Sequence, residues 1–390
     1  MKRPNQALEA DTPVPDDRIL PAAYDFDAPG PQVLEALFAR AHARSEASYN
    51  GDGSWGTGFV HDASSARWRA LFAAPEDFVD RPTVRDTARR LSGYARALDV
   101  ADTPVYRDRL AAGVEWLLAQ QFPDGSFPWW VSRTGMPGTD HLYYVTGNAV
   151  VGLLDAWRHV PDPRIPEAVA RAARWTAKGA ASPNNNYNSF ACWVLAGWYR
   201  HDPQAERLDA AVRLTLEGVL PGQLANGGWA GHNSWVYYQG IIVAGLAVLL
   251  PILPAGHGER QRIARCFHQA TNNLVARQGA DGALLATFDA AERAEAEVRR
   301  IGYEKAPTFK ADPHALLGLL WAHEHAGAGA ETAIRGLVGA YAAAMEEDDP
   351  ESDAGGHGID TLALGYAWRW VAQYAGVTRS KDSADHQEAP

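Results

Sequence analysis

Cysteine is nearly missing from this chain. Cys192 and Cys266 are the only two in 390 residues, too few for a disulfide framework and compatible with a reducing compartment. Metal signatures are missing as well: there is no Cys-x-x-Cys and no His-Glu-x-x-His, and His323-Glu324-His325 sends its two imidazoles to different faces of a helix. No metal is therefore expected, and without a glycine-rich phosphate loop no cofactor either. Positive charge is in deficit, 36 Lys and Arg against 47 Asp and Glu for a net charge of −11. That excludes the basic footprint of a nucleic-acid binder, and a polyanionic substrate would require basic residues gathered locally. Long apolar runs are also wanting. The longest, residues 241–253, is too short to span a bilayer and contains Pro251, so no membrane partner is expected. Residues 1–17 have no apolar stretch of the signal-peptide kind. As written, the chain reads as soluble and cytoplasmic, or as periplasmic or secreted if a leader has been removed. Nothing in it sets an oligomeric state.

What is present is helix. Hydrophobic residues make up 46% and charged residues 21%, an ordinary globular balance with length enough for a large core. Ala, Leu and Arg dominate, and apolar residues recur at helical spacing, as in Leu110, Val114, Leu117 and Leu118. Alternating strand patterns are nearly absent, so the fold class is all-α. Fourteen tryptophans stand out. Indoles in that number line a large core or a cleft for flat apolar faces such as sugar rings or isoprenoids.

A turn recurs along the chain: Asp or Asn, Gly, a small residue, then usually an aromatic. Its copies are Asn50-Gly51-Asp52-Gly53-Ser54-Trp55, Gln121-Phe122-Pro123-Asp124-Gly125-Ser126-Phe127, Gln223-Leu224-Ala225-Asn226-Gly227-Gly228-Trp229 and Gln278-Gly279-Ala280-Asp281-Gly282-Ala283-Leu284, with a degenerate fifth at Asp353-Ala354-Gly355-Gly356-His357. Glycine supplies the left-handed conformation that ends a helix, the acid or amide stabilises the turn, and the aromatic plugs the groove between helices. The turns divide the chain into helical hairpins. Amphipathic first helices are expected near 32–44, 106–121, 166–178, 205–219, 261–277 and 331–346. Second helices, apolar on nearly all sides, are expected near 84–98, 145–159, 188–199, 236–250, 313–325 and 361–374. Six pairs closing on themselves make a single (α/α)6 toroid over residues 32–377, with a polar N-terminal extension (1–31) and a charged C-terminal tail (378–390), both disordered in composition.

The Gln-x-x-Asp-Gly-Ser-aromatic turn resembles the repeat of the α/α toroid enzymes, which include squalene–hopene-type cyclases, prenyltransferase β-subunits and toroidal polysaccharide lyases. The likeness implies an enzyme on this scaffold, though the scaffold hosts several chemistries. In such a ring the loops entering the inner helices converge on one mouth. The residues there are Asp140, His141, Tyr143, Tyr144 and Asn148; Asn184 to Asn188; His232, Asn233, Tyr237, Tyr238 and Gln239; Lys310, Asp312 and His314; and His357, Asp360 and Thr361. Capping accounts for an Asp or Asn at a helix start, but not for the tyrosines and histidines.

Asn184-Asn185-Asn186-Tyr187-Asn188, followed one hairpin later by Asn226-Gly227-Gly228-Trp229 and Ser234-Trp235-Val236-Tyr237-Tyr238, resembles heparinase-like and alginate-lyase-like toroids. There an Asn-Asn-His run opens one inner helix and a Ser-x-x-Tyr-His run the next. The resemblance implies that Asn185 or Asn186 neutralises a substrate carboxylate and that Tyr237 or Tyr238 is the catalytic tyrosine. Asn186 and Tyr238 stand where that family has His, and His232 is a candidate for the missing imidazole. Phe127-Pro128-Trp129-Trp130 and Tyr144-Val145-Thr146-Gly147-Asn148-Ala149 are similar to a region of toroidal pectate lyases. Ala149 replaces an acid there, which argues against that family's calcium chemistry.

The implied reaction is β-elimination at a uronic acid. The carboxylate beside C5 must be neutralised for the proton to leave, and a tyrosine serves the leaving O4. Arg133 or Lys310 would help hold the carboxylate, and Trp129 and Trp130 would stack on sugar. Trp55 and Trp229, which belong to the turn, are expected to be plugs. Three rivals stand beside the lyase. A terpenoid cyclase would need an acid in His357-Gly358-Ile359-Asp360-Thr361, where Ile359 occupies the donor's place. An inverting glycoside hydrolase would use Asp312 and Asp360 as its pair. A non-catalytic platform would not need the ionisable cluster at the mouth.

Overall fold

The computed structural model describes residues 18–27, 29–56, 82–131, 143–285, 309–327, 329–346 and 358–374. Twelve α-helices are found among them: α1 (Pro31–Glu46), α2 (Val84–Leu98), α3 (Pro104–Ala119), α4 (Tyr143–Trp157), α5 (Arg164–Lys178), α6 (Asn185–Tyr199), α7 (Ala205–Gly218), α8 (Val236–Leu249), α9 (Arg260–Ala276), α10 (Pro313–Ala326), α11 (Glu331–Glu346) and α12 (Gly358–Tyr374). The even-numbered helices pack side by side in the order α2, α4, α6, α8, α10 and α12, and α12 returns to α2, closing an inner ring. The odd-numbered helices lie outside them. The chain is a six-hairpin α/α toroid. A two-residue antiparallel pairing of β1 (Leu284–Leu285) with β2 (Phe309–Lys310) is the one ladder among the described residues.

The inner ring closes tightly because small residues line its seams. A Cβ on Gly245 of α8 would sit 2.7 Å from the Ser189 side chain of α6, and one on Gly240 would strike the His314 backbone of α10. Helices that approach this closely bury nearly every side chain on both faces, each worth roughly 1.5–3 kcal/mol for a Leu, Ile or Val. Ile242, Val243, Leu249, Leu316 and Leu319 have no exposed area.

The recurring turn stitches the outer ring. Gly53, Gly125, Gly227 and Gly282 hold φ between 83° and 101°, the left-handed region the sequence demanded. The acid or amide accepts from the backbone N–H two residues on: Asp52 from Ser54, Asp124 from Ser126, Asn226 from Gly228 and Asp281 from Ala283. Trp55, Phe127, Trp229 and Leu284 are buried completely as plugs. The glutamine has a role the sequence did not reveal. Gln121, Gln223 and Gln278 each donate from Nε2 to the carbonyl of the turn glycine or its equivalent four residues on. Each also donates to a carbonyl of the next outer helix, Ala168, Cys266 and Ala333 respectively. The degenerate fifth copy lies outside the described residues.

Residues 18–27, part of the extension that composition left without structure, lie on the outer ring. Asn272 of α9 accepts from the Leu20 N–H at 2.6 Å and donates to the Arg18 carbonyl at 2.8 Å. A short docking segment of this kind has no periodicity to betray it. Among the described residues no helix is long and apolar enough to cross a membrane.

Candidate active site

The entry of α2 departs from the expected apolar inner helix. The sequence VRDTARRLSGYARAL is buried around most of its surface, yet it carries Arg85, Asp86, Arg89, Arg90 and Arg96. Each charge is tolerated because it is paired with an opposite charge or hydrogen-bonded. Thr83 caps the helix: its Oγ1 accepts from the Asp86 N–H and donates to Asp86 Oδ2 at 2.6 Å. Asp86 Oδ2 also accepts from Nε and Nη2 of Arg85, at 3.1 and 2.7 Å. Burial opposes the charge on Asp86, but Arg85, Arg89 and Arg90 hold its carboxyl well below the usual carboxylate range. On Arg85 burial is likewise outweighed, by Asp86 first and then by Tyr144 and Tyr237, so its pKa lies above the ordinary value. The Arg85 side chain keeps 23% of its surface exposed.

One helical turn on, Arg89 is 4% exposed and reaches across the ring. Its Nε donates to Asn148 Oδ1 of α4 at 2.8 Å, and its Nη2 lies 3.1 Å from His314 Nε2 of α10. The Tyr237 phenol of α8 lies near the same guanidinium, and burial lowers the arginine's pKa while that phenol opposes the shift. The Tyr237 ring rests against the His314 imidazole with centroids 3.7 Å apart. Tyr144 completes the group, stacked on Tyr187 of α6 at 5.3 Å and edge-on to Trp129 at 6.3 Å. Burial raises the Tyr144 pKa far above its ordinary value despite Arg85 nearby. Residues from α2, α4, α6, α8 and α10 thus meet at the entries of the inner helices.

Of the residues singled out in the sequence, Asn148, Tyr144, Tyr237, His314 and Trp129 belong to this group, and Tyr238 touches its edge, 4.7 Å from Tyr237. Asn185 and Asn186 stand beside it with their amides engaged. Asn186 Nδ2 donates to Asn184 Oδ1 and to Asn233 Oδ1, both at 2.8 Å, and Asn185 donates to the Gly218 carbonyl and accepts from Asn233. These bonds brace the entry of α6 against the 3-10 turn Gly231–Ser234 that leads into α8. Asp312 is the N-cap of α10, its Oδ1 accepting from the N–H groups of His314 and Ala315 at 2.9 Å. Asp360, 1% exposed, accepts from the Tyr341 phenol on outer helix α11 and so faces away from the ring's centre. Trp130 pairs its backbone with Thr83 at the start of α2. Arg133, His141 and His357 lie outside the described residues, as do the side chains of His232 and Lys310.

Sequence reasoning missed Arg85 and Arg89. The signal was available: two arginines four apart put like charges on one face of a helix that the ring requires to be buried. Toward the other ends of the inner helices a second polar cluster forms. There Arg96 pairs with Asp155 at 2.6 Å, and Tyr366 donates to the same carboxylate at 2.9 Å. Among the described residues no three His, Cys, Asp or Glu side chains gather as a metal would need. Cys192 is buried against Thr215, and burial pushes its thiol up to about 11.

No family model and no curated protein matches the chain. Solved structures do. A polysaccharide lyase superposes with a TM-score of 0.55 at 14% identity, over 89% of this chain and 99% of its own. An unsaturated glucuronyl hydrolase from Streptococcus agalactiae gives 0.57 at 11% identity, over 88% and 93%. A D-mannose isomerase gives 0.56 at 11%, over 88% and 98%. These likenesses establish the architecture: the chain has the fold of the α/α toroid enzymes.

Proposed function

We propose that the protein is a lyase that cleaves a uronic-acid-containing oligosaccharide or polysaccharide by β-elimination at the Arg85, Arg89, Tyr237 and His314 cluster. The observation that carries this reading is the position of Tyr237, packed on His314 and close to Arg89 at the point where five inner helices meet. A guanidinium is the strongest partner a carboxylate can find in a protein. Arg85 uses Nε and Nη2 for Asp86 and is partly exposed, which leaves Nη1 for the substrate's carboxylate. With that charge neutralised, Tyr237 takes the C5 proton as its phenolate, whose negative charge Arg89 balances before the transfer, and the charge that then develops at C5 spreads into the carboxylate held by Arg85. The C5 electron pair forms the C4=C5 double bond, the C4–O4 bond breaks, and the proton is returned to O4. Trp129, Tyr144 and Tyr187 offer flat faces for the sugar rings. The asparagines the resemblance assigned to the carboxylate here act as braces, and the arginines of α2 take over that task.

Two of the solved structures with this fold carry names from the same chemistry, a polysaccharide lyase and an unsaturated glucuronyl hydrolase. Hydrolysis and cyclisation begin with a carboxylic acid that gives up a proton, and the acids near the mouth among the described residues favour elimination instead. Asp86 is held ionised by arginines, Asp312 caps a helix and Asp360 faces the outer ring. The test is a panel of alginate, pectate, heparosan, hyaluronan and glucuronan, read by the ultraviolet absorbance of the unsaturated uronate. Product is expected from at least one, with Tyr237→Phe lowering turnover by about a hundredfold or more. Release of reducing ends without that chromophore would assign hydrolysis instead.

A further inference from the structure

A concavity lies on the rim of the ring, outside the central cluster. It has a volume of about 600 Å³ and is walled by α5, the entry of α4 and the entry of α6. Arg171, Arg174 and Lys178 line it from one side of α5, with Trp175 among them. In a chain of net charge −11 this is a local concentration of positive charge. Arg171 is turned to Gln121 Oε1 at 3.1 Å. Arg174 and Lys178 are exposed and form no ion pair among the described residues. The one acid on the wall among the described residues, Asp124, accepts from Ser126 N and Oγ of its own turn at 2.9 and 2.7 Å.

The apolar walls are aromatic. Trp175 meets Tyr143 edge-on at 5.5 Å, and the Tyr143 hydroxyl is pinned to the Ala180 carbonyl at 2.8 Å. Gly179 makes room for that hydroxyl, since any Cβ there would strike it. Tyr187 lines the concavity and at the same time stacks on Tyr144 of the central cluster. A single aromatic wall therefore separates the two sites, and Tyr143 and Tyr144, adjacent in sequence, face one site each.

We infer that this rim pocket binds acidic sugar units of the same chain, away from the bond that is cleaved, and so gives the protein a preference for longer oligosaccharides. The inference rests on the uronate reading of the central site. Arg174 and Lys178, without an ion pair among the described residues, suit carboxylates or sulfates spaced along a glycan, and indole and phenol faces suit the rings between them. Binding energy from such a remote subsite is available to the reaction only when the substrate is long enough to reach it.

The experiment compares the wild type with Arg174→Ala/Lys178→Ala on a size series from disaccharide to octasaccharide of whichever uronate glycan is cleaved. Trp175→Ala serves as a second variant and circular dichroism as the folding control. Both variants are expected to raise KM for the longer members by about tenfold, the weight of one charge-assisted contact, with disaccharide kinetics unchanged. The salt dependence of KM should weaken in the double variant. Equal KM for wild type and variants at every length overturns the inference. If no glycan yields unsaturated product, calorimetric titration with oligogalacturonate separates the two claims. Binding lost in the double variant upholds the pocket while the elimination reading falls, and binding retained removes the pocket.

Discussion

Arg89 of α2 and His314 of α10 are joined at 3.1 Å although their helices are not neighbours in the inner ring. The contact crosses the mouth of the toroid and defines the protonation of the imidazole. A guanidinium has only donors, so His314 Nε2 is the acceptor and the ring is neutral with its proton on Nδ1. Together with the bond to Asn148, this fork ties three inner helices to one side chain and sets where Tyr237 lies.

Arg89→Lys tests that arrangement. Lysine keeps the charge but has a single ammonium on a flexible stem, and it cannot serve Asn148 and His314 as the planar fork does. The variant is expected to lose about 1–3 kcal/mol of stability, because a buried acceptor is left without its donor. It is also expected to lose about a hundredfold in turnover through misplacement of the reacting groups. Urea denaturation and steady-state kinetics check the two effects separately. Wild-type values in both would remove Arg89 from the site.

The glutamine of the repeated turn carries a second expectation. Gln278 is 1% exposed, and its Nε2 joins Gly282 of its own turn to Ala333 of α11, each at 2.9 Å. Gln278→Glu keeps the shape and removes the donor, setting a carboxylate oxygen against two carbonyl oxygens. A loss of about 1–3 kcal/mol is expected by the cost of unpaired buried acceptors. The midpoint of denaturation reports it, while activity per folded molecule should be unchanged, since the turn lies in the outer ring.

Much of this architecture could be read from the residues. The turn glycines and the period of apolar residues act locally, and helices α2 and α11 begin and end where periodicity placed them, at Val84–Leu98 and Glu331–Glu346. The mouth was legible in outline, for Tyr144, Asn148, Tyr237 and His314 do come together. The division of labour within it was not. Whether an asparagine braces a loop or faces a ligand depends on partners such as Asn233 and Gly218, dozens of residues away. Arg85 and Arg89 escaped because their helix was taken as uniformly apolar. Their tolerance inside the ring comes from Asp86, Asn148 and His314, a pairing that only the closed toroid creates.

The cluster at the far ends of the inner helices makes stability depend on pH. His325 of α10 lies with Nδ1 3.4 Å from Arg200 Nη1 and its ring against Trp321. Burial, followed by the charges of Arg200 and Arg96, lowers its pKa from 6.5 to about 3. The sign follows from which state takes the proton first. In the unfolded chain the imidazole protonates as pH falls through about 6.5, whereas the folded protein resists until about 3. Between those values the unfolded state binds more protons, so stability falls with acidification by at most about 1.4 kcal/mol per pH unit. Because the ring is only half-buried, solvent screening reduces that slope. His325→Gln removes the titrating group while retaining a neutral polar side chain. Denaturation midpoints measured at about pH 7, 6 and 5 are expected to fall more steeply for the wild type than for the variant, with the gap narrowing or reversing in acid. Parallel curves would show that His325 is protonated alike in both states and that Arg200 does not face it in the folded protein.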